Sequence, residues 1–191
     1  MKIESAVFES SFGNSNQLSI SDLPEIAFSG KSNVGKSSLL NKLLNRKQLA
    51  RVSSSPGKTT TINFFKLDDC RFVDLPGYGY AKVSQSEKIR WSELMEGYFN
   101  SNRNLSLIVQ LIDIRHKPSD DDYSMLDYLK QTGYEFVIVL TKADKLKPNE
   151  LNKRLSELEQ ELKDYKTQKI VFSSLKGTGR EELLNCIKQK I

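Results

Sequence analysis

A short stretch rich in glycine and lysine, GKSNVGKSS at residues 30–38, constrains the fold of this chain more than any other feature. It matches the pattern Gly-x-x-x-x-Gly-Lys-Ser, in which the glycines let successive backbone N–H groups turn inward toward phosphate oxygens. It follows the apolar run EIAF and precedes LLNKLLN, which has helical spacing. A strand, such a loop and a helix in this order predict an α/β sheet that holds the phosphates of a nucleoside triphosphate.

Apolar segments of strand length alternate with segments of helical periodicity along the rest of the chain. The predicted strands cover residues 25–28, 60–67, 70–75, 105–114, 135–141 and 169–174. The predicted helices cover residues 36–45, 86–100, 119–133, 148–165 and 179–191, with N-caps at Ser86 and Ser119 and a stop at Gly133. We expect a doubly wound, mostly parallel α/β sheet with one antiparallel edge strand from the hairpin around Asp68 and Asp69. In such sheets ligands bind beyond the carboxyl ends of the strands, so the loops there should carry the chemistry.

The composition is that of an ordinary globular protein, with 38% hydrophobic and 28% charged residues among 191. We expect one domain over residues 1–191, with its core at about 22–191. The sequence has no run of about 18 apolar residues, so we predict no membrane span. The N-terminus lacks the apolar region of a secretory signal. Cys70 and Cys186 lack metal-ligand spacing and are expected to be reduced thiols of a cytoplasmic protein. The net charge of +5 weakly supports an anionic partner larger than a nucleotide.

The loop DLPG, residues 74–77, follows the second strand of the hairpin and is expected to face the phosphates. Mg²⁺ keeps several waters and takes few protein carboxylates, so Asp74 is expected to act on it through water. The N–H of Gly77 is expected to meet the γ-phosphate. In the first loop, Lys36 should reach the outer phosphates and Ser37 should offer its hydroxyl to Mg²⁺.

The loop TKAD, which begins at Thr141, predicts that the base is guanine. The carboxylate of Asp144 can accept hydrogen bonds from N1–H and the exocyclic amine of guanine, whereas adenine presents neither donor on that edge. The stem of Lys142 can pack along the plane of the base. A site built to pair such donors rejects analogues that lack them. After the last predicted strand, the short side chains that follow Phe172 should let backbone amides approach guanine O6.

A polar segment, RVSSSPGKTTTINFF at residues 51–65, joins the first helix to the hairpin. We expect it to close over the γ-phosphate and to supply a threonine hydroxyl as a second protein ligand to Mg²⁺. Thr59 is the predicted ligand, and Thr60 is the alternative. Arg51 and Lys58 have two interpretations, contact with phosphate or RNA and solvation at the surface.

These motifs and their order, from Gly30 to Ser174, resemble the translation-factor-related branch of P-loop GTPases. The stretches GKSNVGKSS, SSPGKTTTINFF, VDLPGYGYAKVS, IDIRHKPSDDD and TKADK resemble, more closely, the EngB (YihA) family of bacterial GTPases. The resemblance implies the Ras-like P-loop GTPase fold and a monomeric, stand-alone GTPase domain in the cytoplasm. It also implies a role in assembly of the large ribosomal subunit, through ribosomal RNA and proteins, and a less direct link to cell division and septation.

Carried over motif by motif, the resemblance assigns catalysis to Lys36, Thr59 and Gly77, and Mg²⁺ binding to Ser37 and Thr59. The nucleotide contacts that it implies, to GTP or GDP, are Gly30, Lys31, Ser32, Asn33, Val34, Gly35, Lys36, Ser37, Gly57, Lys58, Thr59, Thr60, Thr61, Asp74, Leu75, Pro76, Gly77, Thr141, Lys142, Ala143, Asp144, Phe172, Ser173 and Ser174. We see no departure from the family pattern in these motifs.

Tyr78 follows the Asp-x-x-Gly motif directly, where many GTPases place a glutamine that orients water. A phenol on a flexible loop flanked by glycines cannot position water as an amide does, so we expect slow turnover and activation by a partner.

Asn33 has two interpretations, since it could help to hold K⁺ beside the phosphates or serve the turn. His116, the only histidine, has no paired nucleophile in the sequence, which favours a surface or partner contact over a general base. Asp120–Asp122 open a helix, where acids suit the dipole.

Three classes of function fit the phosphate loop, the name that we give to the motif of residues 30–37. The chain could hydrolyse GTP as a timer for assembly, or act as a GTP-gated module that binds RNA or ribosomal protein with incidental hydrolysis. An ATP-dependent kinase or transporter subunit is the third class, and the motif TKAD argues against it.

Overall fold

The computed structural model describes residues 2–50, 60–79 and 84–191. Its strands are β1 (Val7–Phe12), β2 (Glu25–Gly30), β3 (Ile62–Lys66), β4 (Arg71–Asp74), β5 (Leu105–Asp113), β6 (Phe136–Thr141) and β7 (Lys169–Val171). Its α-helices are α1 (Lys36–Leu43), α2 (Gln85–Asn100), α3 (Asp120–Thr132), α4 (Pro148–Glu161) and α5 (Arg180–Lys188). Short 3₁₀ turns lie at Ile3–Ser5, Ser15–Gln17 and Ala143–Lys145. In these ranges we find no helix with the length and apolar character that crossing a membrane requires.

The strands form one seven-stranded sheet in the order β1-β3-β4-β2-β5-β6-β7. Strands β4, β2, β5, β6 and β7 pair in parallel, and β3 runs antiparallel to both of its neighbours. The predicted doubly wound, mostly parallel fold with one antiparallel strand is therefore confirmed. That strand lies one position in from the edge, because β1 pairs along its outer side.

Strand β1 is not predicted by the sequence pattern. Its residues, VFESSF, lack a strict alternation of apolar and polar side chains, and all of them are exposed or half-buried. The segment forms a strand because it pairs with β3, more than 50 positions later, where Phe8 packs edge-on against Phe65 with ring centroids 5.9 Å apart. Ile3 and Ala6 are also buried. The hydrophobic core thus includes side chains that precede residue 22.

The helices cover both faces of the sheet. Alternate residues of β2 belong to the two layers, with Phe28 in the cluster that includes Leu43 of α1 and Ala27 in the cluster that includes Leu94 of α2. Every residue of β2 is buried, as expected for a parallel strand that is covered on both faces. The loops that follow β2, β4, β5, β6 and β7 therefore meet at one edge.

The N-cap of helix α2 lies two residues earlier than we predicted. Its N-cap is Ser84, whose hydroxyl accepts from the Glu87 N–H at 3.2 Å while the Glu87 carboxylate accepts from the Ser84 N–H at 3.1 Å. This reciprocal capping box satisfies two N–H groups, so it is preferred over Ser86, which has no Glu or Gln three residues later. The predicted cap of α3 at Ser119 and its stop at Gly133, with φ of 74°, are confirmed.

Candidate functional site

The loop of residues 30–35 joins β2 to α1 and curls tightly. The N–H of Val34 donates to the carbonyl three positions earlier at 3.1 Å. Asn33 and Gly35 have positive φ angles of 62° and 104°. Gly30 has no room for a side chain, since a Cβ there would lie 2.9 Å from the Val34 side chain. Gly35 is the N-cap of α1 and has no side chain that could accept hydrogen bonds from the first turn of the helix. The N–H groups of that turn are therefore presented toward the loop, as an anion site requires.

Lys36, the first residue of α1, forms an ion pair with Asp74 at the end of β4. The two side chains are only 12% and 10% exposed. The hydroxyl of Ser37 and the carboxylate of Asp74 are hard oxygen donors of the kind that Mg²⁺ takes. Among the described residues, no three His, Cys, Asp or Glu side chains cluster as a metal site would require.

The segment of residues 75–79 lies directly against the phosphate loop. The Ser32 N–H donates to the Tyr78 carbonyl at 2.8 Å, and the Tyr78 N–H donates to the Gly30 carbonyl at 3.4 Å. Gly77 lies so close to the loop that a Cβ would be 3.1 Å from the N and Cα atoms of Ser32. A side chain at position 77 would push the two motifs apart, so the close approach depends on glycine.

Two residues of the TKAD motif are bonded to the phosphate loop. The hydroxyl of Thr141, a residue that is 3% exposed, lies 2.7 Å from the Val34 carbonyl and donates to it. Lys142 has a positive φ of 64°, and its ammonium donates to the Asn33 carbonyl at 2.6 Å and pairs with Asp113 at 2.9 Å. The motif that was predicted to read the base therefore also fixes the loop that was predicted to hold the phosphates.

Asp144 is oriented by Ser173, from the loop that follows β7. The Ser173 hydroxyl donates to Asp144 Oδ1 at 2.7 Å and accepts from the Lys176 N–H at 3.0 Å. The Asp144 side chain is 8% exposed. An ionised carboxylate has about four lone-pair positions, so Asp144 can still accept two hydrogen bonds from a ligand with adjacent N–H donors.

Several of the predicted contact residues have side chains that face the protein interior. These residues are Val34, Leu75, Thr141, Ala143 and Phe172. Both backbone groups of Phe172 are paired, the N–H with the Leu140 carbonyl at 2.8 Å and the carbonyl with the Ala143 N–H at 3.2 Å. Such residues place the loops by packing in the interior.

Asp113, at the end of β5, belongs to this edge although the sequence pattern did not single it out. Partial burial works to raise the pKa of Asp113, but hydrogen bonds from Arg115 and Lys142 outweigh it and lower the pKa to about 2. The carboxylate therefore stays ionised and holds the ammonium of Lys142 beside the loop. Its position as the last residue of a buried strand, like that of Asp74, was the available signal.

Tyr78 is buried, and the expectation that it lies on a flexible loop is wrong. The residue is 6% exposed, and its hydroxyl donates to Asp122 Oδ1 and accepts from Gln110 Nε2, both at 2.7 Å. Burial and the charge of Asp122 raise the pKa of Tyr78 well above its ordinary value. No local pattern connects these three residues, because they are 32 and 44 positions apart in the chain.

Some predicted residues lie outside the described residues. These are Gly57, Lys58 and Thr59, together with Arg51. Thr60 and Thr61 are described and half-buried. His116 is exposed, and its carbonyl accepts a hydrogen bond from Arg154 at 2.8 Å.

The chain is similar to known proteins over most of its length. The family described as "50S ribosome-binding GTPase" matches residues 25–142. A protein of Clostridioides difficile named "Probable GTP-binding protein EngB" is 47% identical over 185 residues, which are 96% of this chain and 91% of that protein. A protein of the same name from Gemmatimonas aurantiaca is 49% identical over 169 residues, which are 87% of this chain and 82% of that protein.

Solved structures have the same fold. The crystal structure of a probable GTP-binding protein engB has a TM-score of 0.69 and 22% identity, and the match covers 86% of this chain and 97% of that one. The structure of Era in complex with MgGDPNP and nucleotides 1506–1542 of 16S ribosomal RNA has a TM-score of 0.66 and 23% identity, with 87% of this chain and 56% of that chain covered. At such identities the likeness establishes the fold alone.

Proposed function

The chain belongs to the EngB family of GTP-binding proteins and is a GTPase, and from that premise we propose that it is a slow molecular switch in assembly of the large ribosomal subunit. We propose that it acts in the cytoplasm as a monomer with a single GTP-binding domain. One observation carries the nucleotide part of the proposal. The Lys36–Asp74 pair and the Asp144–Ser173 pair lie at the same edge of the sheet. The first pair suits phosphate, and the second suits guanine.

We place the phosphates of GTP in the loop of residues 30–37. Lys36 would exchange Asp74 for the outer phosphate oxygens, and the N–H of Gly77 would meet the γ-phosphate. Lys36, Gly77 and Thr59 are the proposed catalytic groups, because they would touch the phosphates. Mg²⁺ would be held by Ser37 and Thr59, with Asp74 acting through water, and would neutralise charge on the phosphates.

Slow intrinsic turnover is supported by the position of Tyr78. Phosphoryl transfer depends on positioning and charge neutralisation, and a hydrolase must also orient the attacking water. The hydroxyl of Tyr78 is engaged with Asp122 and Gln110, so the residue after Gly77 is not available for that task. A partner that orients the water would then accelerate hydrolysis.

A ribosomal partner is supported by two observations. The matching family is described as ribosome-binding, and this chain has a net charge of +5. Positive charge favours contact with the phosphate backbone of RNA. We place any effect on cell division and septation downstream of this role.

Co-sedimentation with purified large ribosomal subunits tests the ribosomal part. We expect the protein to pellet with the subunits in GDPNP, less in GDP and least without nucleotide, and the pelleted fraction to fall steeply as salt rises. Small subunits serve as the control. Pelleting that is independent of nucleotide, or equal with both subunits, would contradict the proposal.

The second candidate function is a GTP-gated binding module whose hydrolysis is incidental, and the engagement of Tyr78 favours it. The two candidates differ in turnover. A timer should hydrolyse GTP faster when large subunits are added, whereas a binding module should pellet with them in GDPNP and keep its basal rate.

We also propose that Asn33 helps to hold K⁺ beside the phosphates. Asn33 lies on the exposed side of the loop with φ of 62°, where its side-chain oxygen can serve a hard cation. Turnover should therefore be faster in K⁺ than in Na⁺ at equal ionic strength. If wild type turns over at the same rate in K⁺ as in Na⁺, and Asn33→Ala does too, Asn33 has a role in the turn alone.

A further inference from the structure

The segment that carries Gly77 is anchored on both sides by groups that the proposed mechanism does not use. On one side, the Tyr78 hydroxyl bonds to Asp122 and Gln110, as described above. On the other side, Trp91 of α2 donates from Nε1 to the Pro76 carbonyl at 3.2 Å. Gly77 thus lies between two residues that are each held by a hydrogen bond from a distant part of the chain.

The carboxylate that Tyr78 reaches is itself rigidly held. Asp122 is 5% exposed, and its Oδ2 accepts from the Ser119 N–H at 2.8 Å and from the Ser119 hydroxyl at 2.7 Å. The carboxylate cannot rotate without breaking the cap of α3. Because a hydrogen bond to a charged, buried acceptor is among the stronger ones in proteins, Tyr78 has a well-defined position.

Gln110 shows that this arrangement is kept at some expense of stability. It is fully buried in the middle of β5, and no partner for its Oε1 is found among the described residues. An unpaired buried carbonyl oxygen destabilises a fold, so an apolar residue would suit this position better if packing were the only requirement. What the glutamine provides is an N–H donor directed at Tyr78.

We propose that Tyr78, with Asp122 and Gln110, is a positioning residue that holds the N–H of Gly77 against the phosphate loop and so sets the affinity for GTP relative to GDP. The proposal rests on the proposed function, because the γ-phosphate is the group that Gly77 would meet. GDP lacks that phosphate. Loosening Tyr78 should therefore weaken GTP binding and leave GDP binding intact.

The test is the substitution Tyr78→Phe, which removes the hydroxyl and keeps the ring. We expect the affinity for GDPNP relative to GDP to fall about tenfold, with unchanged affinity for GDP, since a hydrogen bond to a charged group contributes at least that factor. Isothermal titration with each nucleotide in Mg²⁺ measures the ratio. A ratio like that of wild type, or an equal loss for both nucleotides, would overturn the proposal.

Tyr165→Phe is the matched control. Tyr165 is also 6% exposed, and its hydroxyl donates to Asp127 Oδ1, on the same helix α3, at 2.7 Å. Both variants lose a Tyr–Asp hydrogen bond, so both should lose thermal stability to a similar extent. If Tyr165→Phe also lowers the GDPNP to GDP ratio tenfold, the effect reflects general destabilisation and the proposal fails.

Gln110→Met provides a second test that does not depend on the folding of Tyr78→Phe. Because it removes a buried polar group with an unpaired atom, we expect the melting temperature to stay equal or rise while the GDPNP to GDP ratio falls about threefold. A merely structural glutamine would give the opposite result, with lower stability and an unchanged ratio.

Trp91 supplies a direct readout, since it is the only tryptophan in the chain and bonds to the same segment. Its emission in wild type should differ between GDPNP and GDP, and the difference should shrink in Tyr78→Phe. An undiminished difference would contradict the positioning role. Failure of wild type to bind either nucleotide would instead contradict the proposed function, so the two failures are distinguishable.

Discussion

Asparagine in place of Asp144 should change the base preference of the protein from guanine to xanthine, with a swing of about 10⁴-fold in relative affinity. The Asp144 carboxylate is oriented by Ser173 at 2.7 Å and is almost enclosed. In the variant, an amide donor would face the exocyclic amine of guanine, which is also a donor. Xanthine has an oxygen at that position and can accept the new hydrogen bond. Because the site excludes most water, the mismatched pair has no alternative partner.

Competition against a fluorescent guanine nucleotide measures this swing, with GTP, xanthosine triphosphate and ATP as competitors. Asp164→Asn, an exposed position, makes the same chemical change elsewhere and should leave the preference for GTP intact. If Asp144→Asn bound GTP as wild type does, the assignment of Asp144 to guanine recognition would be wrong. Equal competition by ATP and GTP against wild type would contradict guanine recognition as a whole.

Alanine in place of Lys36 should slow GTP hydrolysis by about 10³-fold, the effect of losing one preorganised charge at the reacting phosphate. Its ammonium lies in a nearly enclosed site beside Asp74, where a solvent cation is a poor substitute. The substitution also leaves the Asp74 carboxylate without its partner, and that charge would repel the phosphates. GTP affinity should therefore fall together with the rate.

Single-turnover hydrolysis and nucleotide titration measure the two losses separately. Lys42→Ala, at the other end of α1, is the matched control and should hydrolyse GTP at the wild-type rate. In the double variant Lys36→Ala, Asp74→Ala, thermal stability should recover in part, because the unpaired buried charge is gone. Hydrolysis should not recover, and a Lys36→Ala protein with the wild-type rate would refute the assignment.

Local signals predicted most elements of the fold because the interactions that decide them are local. Ser119 and Gly133 bound α3 as predicted, and Pro148 stands in the first turn of α4, since caps and proline act within one turn of the chain. The start of α2 was misplaced at Ser86 because two serines, Ser84 and Ser86, lie close together there. The pairing of Ser84 with Glu87, three residues apart, was the deciding feature.

Strand β1 was missed for a different reason. Its sequence, VFESSF, has three apolar and three polar residues that do not alternate, and its pairing partner β3 lies far along the chain. An edge strand with both faces partly exposed has no clear period to detect. Its existence depends on the sheet that it joins.

The sequence by itself determined that the chain folds as a mostly parallel α/β sheet with a phosphate loop and a guanine motif, because each motif is contiguous and follows a strand whose apolar pattern is recognisable. Only the tertiary structure decided that Thr141 and Lys142 hold the phosphate loop, that Asp113 joins them, and that Tyr78 is buried against Asp122 and Gln110. Those contacts join residues from 29 to 109 positions apart. The order in which the strands pair determines which of these residues come into contact, and no local pattern in the chain encodes that order.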